Sequence, residues 1–160
     1  MSNAPAEFPS SSAEERPIRI LLVEDNPADV RLTREMLRES KVRNDLLVAH
    51  TAEEAEDILG LPEEEATEDE TGPRPDLVLL DLDLPVKSGH DLLKEMKSHA
   101  TLRRIPVVIL SSSEAEEDVV KSYDEHANAY VTKPVDLDEI TTIVQSIDEF
   151  WFQVVRLPGE

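Results

Sequence analysis

Four short apolar runs, each closed by a polar residue, dominate this chain. Ile20-Leu21-Leu22-Val23 stops at Glu24-Asp25, and Leu77-Val78-Leu79-Leu80 stops at Asp81. Val107-Val108-Ile109-Leu110 stops at Ser111-Ser112, and Ala129-Tyr130-Val131 ends near Lys133-Pro134. Short unbroken apolar runs suit strands buried on both faces, the condition of a parallel sheet covered by helices on either side. If the runs are such strands, an acid pair, a lone acid, a hydroxyl and an ammonium meet at one sheet edge.

The intervening segments carry helix signals. Asn26-Pro27 reads as a cap followed by proline in the first turn, opening a helix to about Ser40 with Val30, Met36 and Leu37 inward. Thr51-x-x-Glu54 and Ser113-x-x-Glu116 are capping boxes, for helices over about 52–60 and 113–125. A further helix follows Gly89, with Leu92, Leu93 and Met96 inward. The last starts near Asp136 and shows Ile140, Ile143, Val144, Ile147, Trp151 and Val154 at helical spacing. Strands are expected at 18–23, 46–49, 76–80, 106–110 and 128–131. Strands alternating with helices predict an α/β three-layer sandwich around a five-stranded parallel sheet. In the flavodoxin-like order 2-1-3-4-5, strand order reverses between strands one and three, and ligands of such sheets bind at that carboxyl-end crevice. Glu24-Asp25 and Asp81 stand at those two ends.

A length of 160 residues suits one domain, expected over 17–149. Residues 1–16, rich in Ser, Pro and Glu, read as a disordered tail, and 150–160 as an extension of the last helix with a short tail. Residues 62–75 hold six acids and three prolines and read as a solvated acidic insertion loop. No apolar stretch approaches the ~18 residues of a membrane span, and no secretion signal is visible. The chain has no cysteine, which excludes disulfides and a thiol nucleophile. These features together point to the cytoplasm. A net charge of −20 argues against direct nucleic-acid binding. Only 6 of the 16 basic residues are lysine, and an acid-rich, lysine-poor surface resembles those of proteins from salt-loving organisms, where concentrated salt screens self-repulsion.

Glu24, Asp25 and Asp81 would bring three carboxylates together. Like charges that close disfavour one another's ionised forms, and a hard cation resolves the conflict. Oxygen-only donors with room for water and phosphate favour Mg²⁺, which prefers an octahedral shell at ~2.0–2.1 Å. Asp81 is a candidate nucleophile as well as a ligand, since carboxylates attack phosphorus to give acyl phosphates. The transferred group loads charge onto three oxygens, and Mg²⁺, Lys133 and Ser111 would take one each.

The chain resembles the receiver domain of two-component response regulators from about Pro17 to Ile147. The resemblance rests on Val23-Glu24-Asp25-Asn26, Leu80-Asp81-Leu82-Asp83-Leu84-Pro85, Ser88-Gly89, Leu110-Ser111-Ser112 and Val131-Thr132-Lys133-Pro134. It implies that Asp81 accepts phosphate from a sensor histidine kinase. By the same resemblance Glu24, Asp25 and Asp81 hold Mg²⁺ with the backbone carbonyl of Asp83. It further makes Ser111 the switch hydroxyl, Lys133 the phosphate partner and Tyr130 the switch aromatic, and implies a cis Lys133-Pro134 bond. The protein would then be a phosphoacceptor, assisting its own phosphorylation and dephosphorylation, rather than a turnover enzyme. Two features depart from the simplest members. The acid pair is Glu-Asp rather than Asp-Asp, and Asp83 adds a charge two residues beyond the acceptor.

After the receiver about a dozen residues remain, so a stand-alone regulator is expected. Glu24-Asp25-Asn26-Pro27-Ala28-Asp29 and the segment Phe150–Pro158 resemble the small regulators that partner bacterial phytochromes, which implies a homodimer through the last helix and the strand-five face. An aspartate-nucleophile phosphatase of the haloacid-dehalogenase type is an alternative, since Asp81-x-Asp83, Ser111 and Lys133 could imitate its motifs. That family places its Asp-x-Asp on the first strand, whereas here the acid pair comes there. A phosphate-independent pseudo-receiver is the other alternative.

Overall fold

A computed structural model describes residues 17–61, 74–112, 119, 121 and 123–150. The tail at 1–16, most of the acidic insertion (62–73), the Ser113 capping box and the segment from Trp151 onward lie outside the described residues. In chain order the elements are β1 (Ile18–Val23), α1 (Pro27–Glu39), β2 (Asn44–Ala49), α2 (Ala52–Leu59) and β3 (Leu77–Asp81). These are followed by α3 (Gly89–Ser98), a 3₁₀ turn (Leu102–Arg104), β4 (Val107–Ser111), β5 (Ala129–Thr132) and α4 (Leu137–Phe150). Residues 119, 121, 123 and 124, between β4 and β5, are helical.

The five strands form one parallel sheet in the order β2-β1-β3-β4-β5. Every residue of β3 and β4 is buried, as expected of central strands with helices on both faces. Strand alternation divides the core into two layers. Leu21, Val23, Val78, Leu80, Val107 and Ile109 meet Leu59 of α2 and Leu92, Leu93 and Met96 of α3. On the other face Ile20, Leu22, Leu77, Leu79, Val108 and Leu110 meet Val30, Met36 and Leu37 of α1 and Ile140 and Val144 of α4. The three-layer sandwich is thus as the apolar pattern predicts.

Capping sets the helix starts. Asn26 Oδ1 accepts the amide hydrogens of Ala28 (2.9 Å) and Asp29 (3.2 Å), with Pro27 in the first turn. Thr51 Oγ1 accepts from the Glu54 amide at 3.0 Å, and the Glu54 carboxylate returns to the amide of His50. A capping box that the sequence reading did not name opens α4: Asp136 Oδ1 accepts from the Glu139 amide at 2.8 Å, and Glu139 Oε1 from the Asp136 amide at 3.1 Å.

Boundaries differ from expectation by a residue or two. β2 begins at Asn44 rather than Leu46. β3 and β4 run one residue further, taking in Asp81 and Ser111, because the ladder continues through the pairs Asp81–Leu110 and Ser111–Thr132. The 3₁₀ turn was not expected. It is held at its start by the buried His99, whose Nδ1 accepts from the amides of Thr101 and Leu102 at 3.2 Å each.

Candidate functional site

Strand register brings the distant polar residues together. Val23 pairs with Leu80, Asp81 with Leu110 and Ser111 with Thr132, so Glu24, Asp81, Ser111 and Lys133 all fall at the carboxyl edge. Alternation then assigns faces. Asp81 follows Leu77 and Leu79, Glu24 follows Ile20 and Leu22, and Lys133 follows Ala129 and Val131, all on the side of α1 and α4. Tyr130 packs, partly buried, against the opposite core layer.

Glu24, Asp25 and Asp81 each offer a carboxylate oxygen, and these oxygens lie within 4.8 Å of one another. Glu24 and Asp81 are buried, and Asp25 is exposed. Each buried carboxylate is oriented through one oxygen and leaves the other for the site. Glu24 Oε2 accepts from the Asn26 amide at 3.2 Å, and Asp81 Oδ1 from the Asp83 amide at 3.1 Å. The other oxygens face Lys133, whose Nζ lies 2.6 Å from Glu24 Oε1 and 3.4 Å from Asp81 Oδ2. Lys133 also reaches Asp29 Oδ2 at 2.9 Å.

The electrostatics follow from this crowding. Burial pushes the Glu24 carboxyl up to about 7; the hydrogen bond from Lys133 opposes the shift and the adjacent Asp81 adds to it. Burial disfavours the charge on Lys133, but its hydrogen bonds to Glu24 and Asp29 and the charges of Asp81 and Glu24 outweigh this and hold the ammonium well above its ordinary pKa. One ammonium thus compensates several acids at a polar, oxygen-only pocket. That donor set fits a hard divalent cation, with Lys133 standing in as the internal counter-charge.

The loop after Asp81 is held closely. Gly89 donates its amide to Leu82 O at 3.1 Å, and a Cβ there would lie 2.3 Å from the Asp81 carbonyl oxygen. Only glycine lets α3 start this near the end of β3. Val86 sits at φ 68° in a γ-turn closed by the bond from the Lys87 amide to Pro85 O at 2.8 Å. Lys87 Nζ then bonds Glu56 of α2 and Glu95 of α3, which ties the loop to both helices.

Residues 20–145 match the response regulator receiver domain family. The chain belongs to this family. Receiver domains of this kind act in two-component phosphorelays, typically as phosphoacceptors rather than enzymes. Response regulator Rcp1 of Synechocystis sp. (strain ATCC 27184 / PCC 6803 / Kazusa) is 43% identical over 140 residues, covering 88% of this chain and 92% of Rcp1. The solved Mn²⁺-bound form of Rcp1 superposes with a TM-score of 0.68 at 42% identity, covering 86% of this chain and 96% of that one. The phosphorylated cyanobacterial phytochrome response regulator RcpA superposes at 0.69 with 45% identity and the same coverage, 86% and 96%. The likeness to small phytochrome regulators read from the sequence is borne out.

Of the site residues expected from sequence, the receiver fold brings Glu24, Asp25, Asp81 and Lys133 into one cluster. It buries Ser111 fully at the end of β4 and leaves the Asp83 side chain exposed. The Lys133-Pro134 bond is cis. Asp29, quoted in the sequence only within the segment that carries the resemblance, had no site role there, yet its carboxylate reaches Lys133. The signal was its place at the head of the inward stripe Asp29, Thr33, Met36, Leu37 on α1. Among the described residues no helix is long and apolar enough to cross a membrane.

Proposed function

We propose that this receiver is a cytoplasmic phosphoacceptor: Asp81 takes a phosphoryl group from a sensor histidine kinase, and the product reshapes a protein-binding surface. The observation that carries this reading is the convergence of Asp81, Asp25, Glu24 and Lys133, of which Glu24 and Lys133 are 109 residues apart in sequence. In the transfer an Asp81 carboxylate oxygen attacks phosphorus, and the bond from phosphorus to the kinase's histidine nitrogen breaks. That nitrogen keeps the electron pair and takes up a proton from water. Mg²⁺ held by Glu24, Asp25, Asp81 and the backbone carbonyl of Asp83 would supply positive charge for the phosphoryl oxygens. The solved Mn²⁺-bound Rcp1 and phosphorylated RcpA support both parts of this reading.

Lys133, already within 3.4 Å of Asp81 Oδ2, pairs with a second phosphoryl oxygen, and the Ser111 hydroxyl with a third. Tyr130, on the adjacent strand, then turns into the space that Ser111 leaves. The output is a changed face over β5 and the last helix, through which the chain forms a homodimer. Incubation of the full chain with a small phosphodonor and Mg²⁺, followed by mass and elution volume, tests this. One added phosphoryl group and a shift to a larger species are expected. Labelling that survives Asp81→Asn, or steady turnover of a phosphoester, would overturn the reading.

A further inference from the structure

Asp29 belongs to neither the carboxylate cluster nor the phosphoacceptor chemistry described above. Its Oδ2 nevertheless lies 2.9 Å from Lys133 Nζ, closer than the 3.4 Å of Asp81. We infer that Asp29 is a positioning residue, which keeps the Lys133 ammonium beside Asp81 when Glu24 and Asp81 turn to a divalent cation. This inference rests on the proposed phosphoacceptor function and deepens it.

An ammonium has three donor hydrogens. Lys133 directs them at Glu24, Asp29 and Asp81. Two of those partners also belong to the oxygen cluster that suits a cation. A dication would compete for these oxygens and repel the ammonium. Lys133 is itself largely buried, with 16% of its side chain exposed, so an ammonium left without a carboxylate there is costly. Asp29 is the partner outside the cluster. Its backbone is fixed in the first turn of α1, where its amide donates to Asn26 Oδ1 at 3.2 Å. Lys133 therefore has one carboxylate to retain, and Nζ stays in reach of whatever Asp81 carries. Without Asp29, Lys133 would hold Glu24 and Asp81 more firmly and oppose entry of the cation.

The test is titration of Mn²⁺ into the unphosphorylated full chain for wild type, Asp29→Asn and Asp29→Glu, each also with Lys133→Met. Asp29→Asn is expected to weaken Mn²⁺ binding about three- to five-fold, the range of a partly exposed ion pair. Asp29→Glu should restore most of the loss, and the loss should vanish with Lys133→Met, as a double-mutant cycle demands of a coupled pair. In ¹⁵N spectra of the Mg²⁺-loaded protein the Lys133 ammonium signal should persist in wild type and broaden through water exchange in Asp29→Asn. An equal loss with and without Lys133 would make Asp29 a general negative charge, and no loss would make it only a first-turn helix acid. Either result overturns the inference, as does an absence of Mn²⁺ binding by wild type. Failure of a phosphodonor to label Asp81, with the coupled Mn²⁺ effect intact, would instead sink the phosphoacceptor reading and leave the positioning role standing.

Discussion

The two edges of the sheet use polar side chains in opposite ways. At the amino edge they hold backbone. Asp76 Oδ2 accepts the Arg19 amide hydrogen at 2.8 Å, and the Asp76 amide donates back to Arg19 O at 2.7 Å. Asn128 makes the same two-way clasp with Val107, at 2.9 and 2.8 Å. His99 holds the start of the 3₁₀ turn. At the carboxyl edge the charged side chains hold one another: Lys133 meets Glu24, Asp29 and Asp81 across 52 to 109 residues of sequence. A buried polar group committed to a backbone amide stabilises the fold and has little capacity left. Glu24 and Asp81 each keep one oxygen that a ligand could use. The difference separates polar burial spent on the backbone from polar burial that leaves an oxygen for a ligand.

The largest consequence concerns Asp81. Asp81→Asn should abolish phosphoryl labelling by a small donor, measured by mass, while circular dichroism stays that of the wild type. Labelling of the variant would remove the carboxyl edge from the chemistry. Next comes Gly89→Ala, whose Cβ would press on the Asp81 carbonyl and on Leu82 Cα at 2.8 Å. Denaturant unfolding should show a loss of about 1–3 kcal/mol, as for other overpacked sites.

Asp76→Ala sharpens the contrast from the other edge. It leaves the partly buried Arg19 amide without its side-chain acceptor and should cost about 1–3 kcal/mol in unfolding free energy. Labelling of Asp81 in the folded variant should match wild type; a marked fall would mean that the two edges are coupled.

A last expected effect is on pH dependence without metal. The Glu24 carboxyl titrates near 7 in the fold against an ordinary 4.5, so the folded protein binds the extra proton between those values. Its contribution to stability is present in full below about 4.5 and is lost as pH rises through about 7. The melting temperature in chelator should therefore fall more steeply from pH 5 to pH 8 for wild type than for Glu24→Gln, and Mg²⁺ should recover part of the difference at pH 8. Parallel curves for the two proteins would show that the Glu24 ionisation carries no stability cost.

Much of this was legible from the residues alone. The five strands to within a residue or two, the Asn26 cap, the Thr51 capping box and the inward residues Val30, Met36, Leu37, Leu92, Leu93, Met96, Ile140 and Val144 could be read from residue patterns. Those patterns are local: a strand alternates every second residue, a helix repeats at 3.6, and a cap reaches three residues ahead. The extension of β3 and β4 to Asp81 and Ser111 was not legible, because a strand ends where its neighbour stops pairing. Nor was the part that His99 plays at the 3₁₀ turn, since it depends on where the turn folds back.

By itself, then, the sequence determined the layers, the order of elements and the places of Glu24, Asp25, Asp81 and Lys133 at the carboxyl edge, because periodicity and capping act over a few residues. Only the tertiary structure decided how Lys133 divides itself between Glu24, Asp29 and Asp81. That division depends on how α1 sits over the strand ends, and ångström-scale differences in distance between groups far apart along the chain set which charges pair.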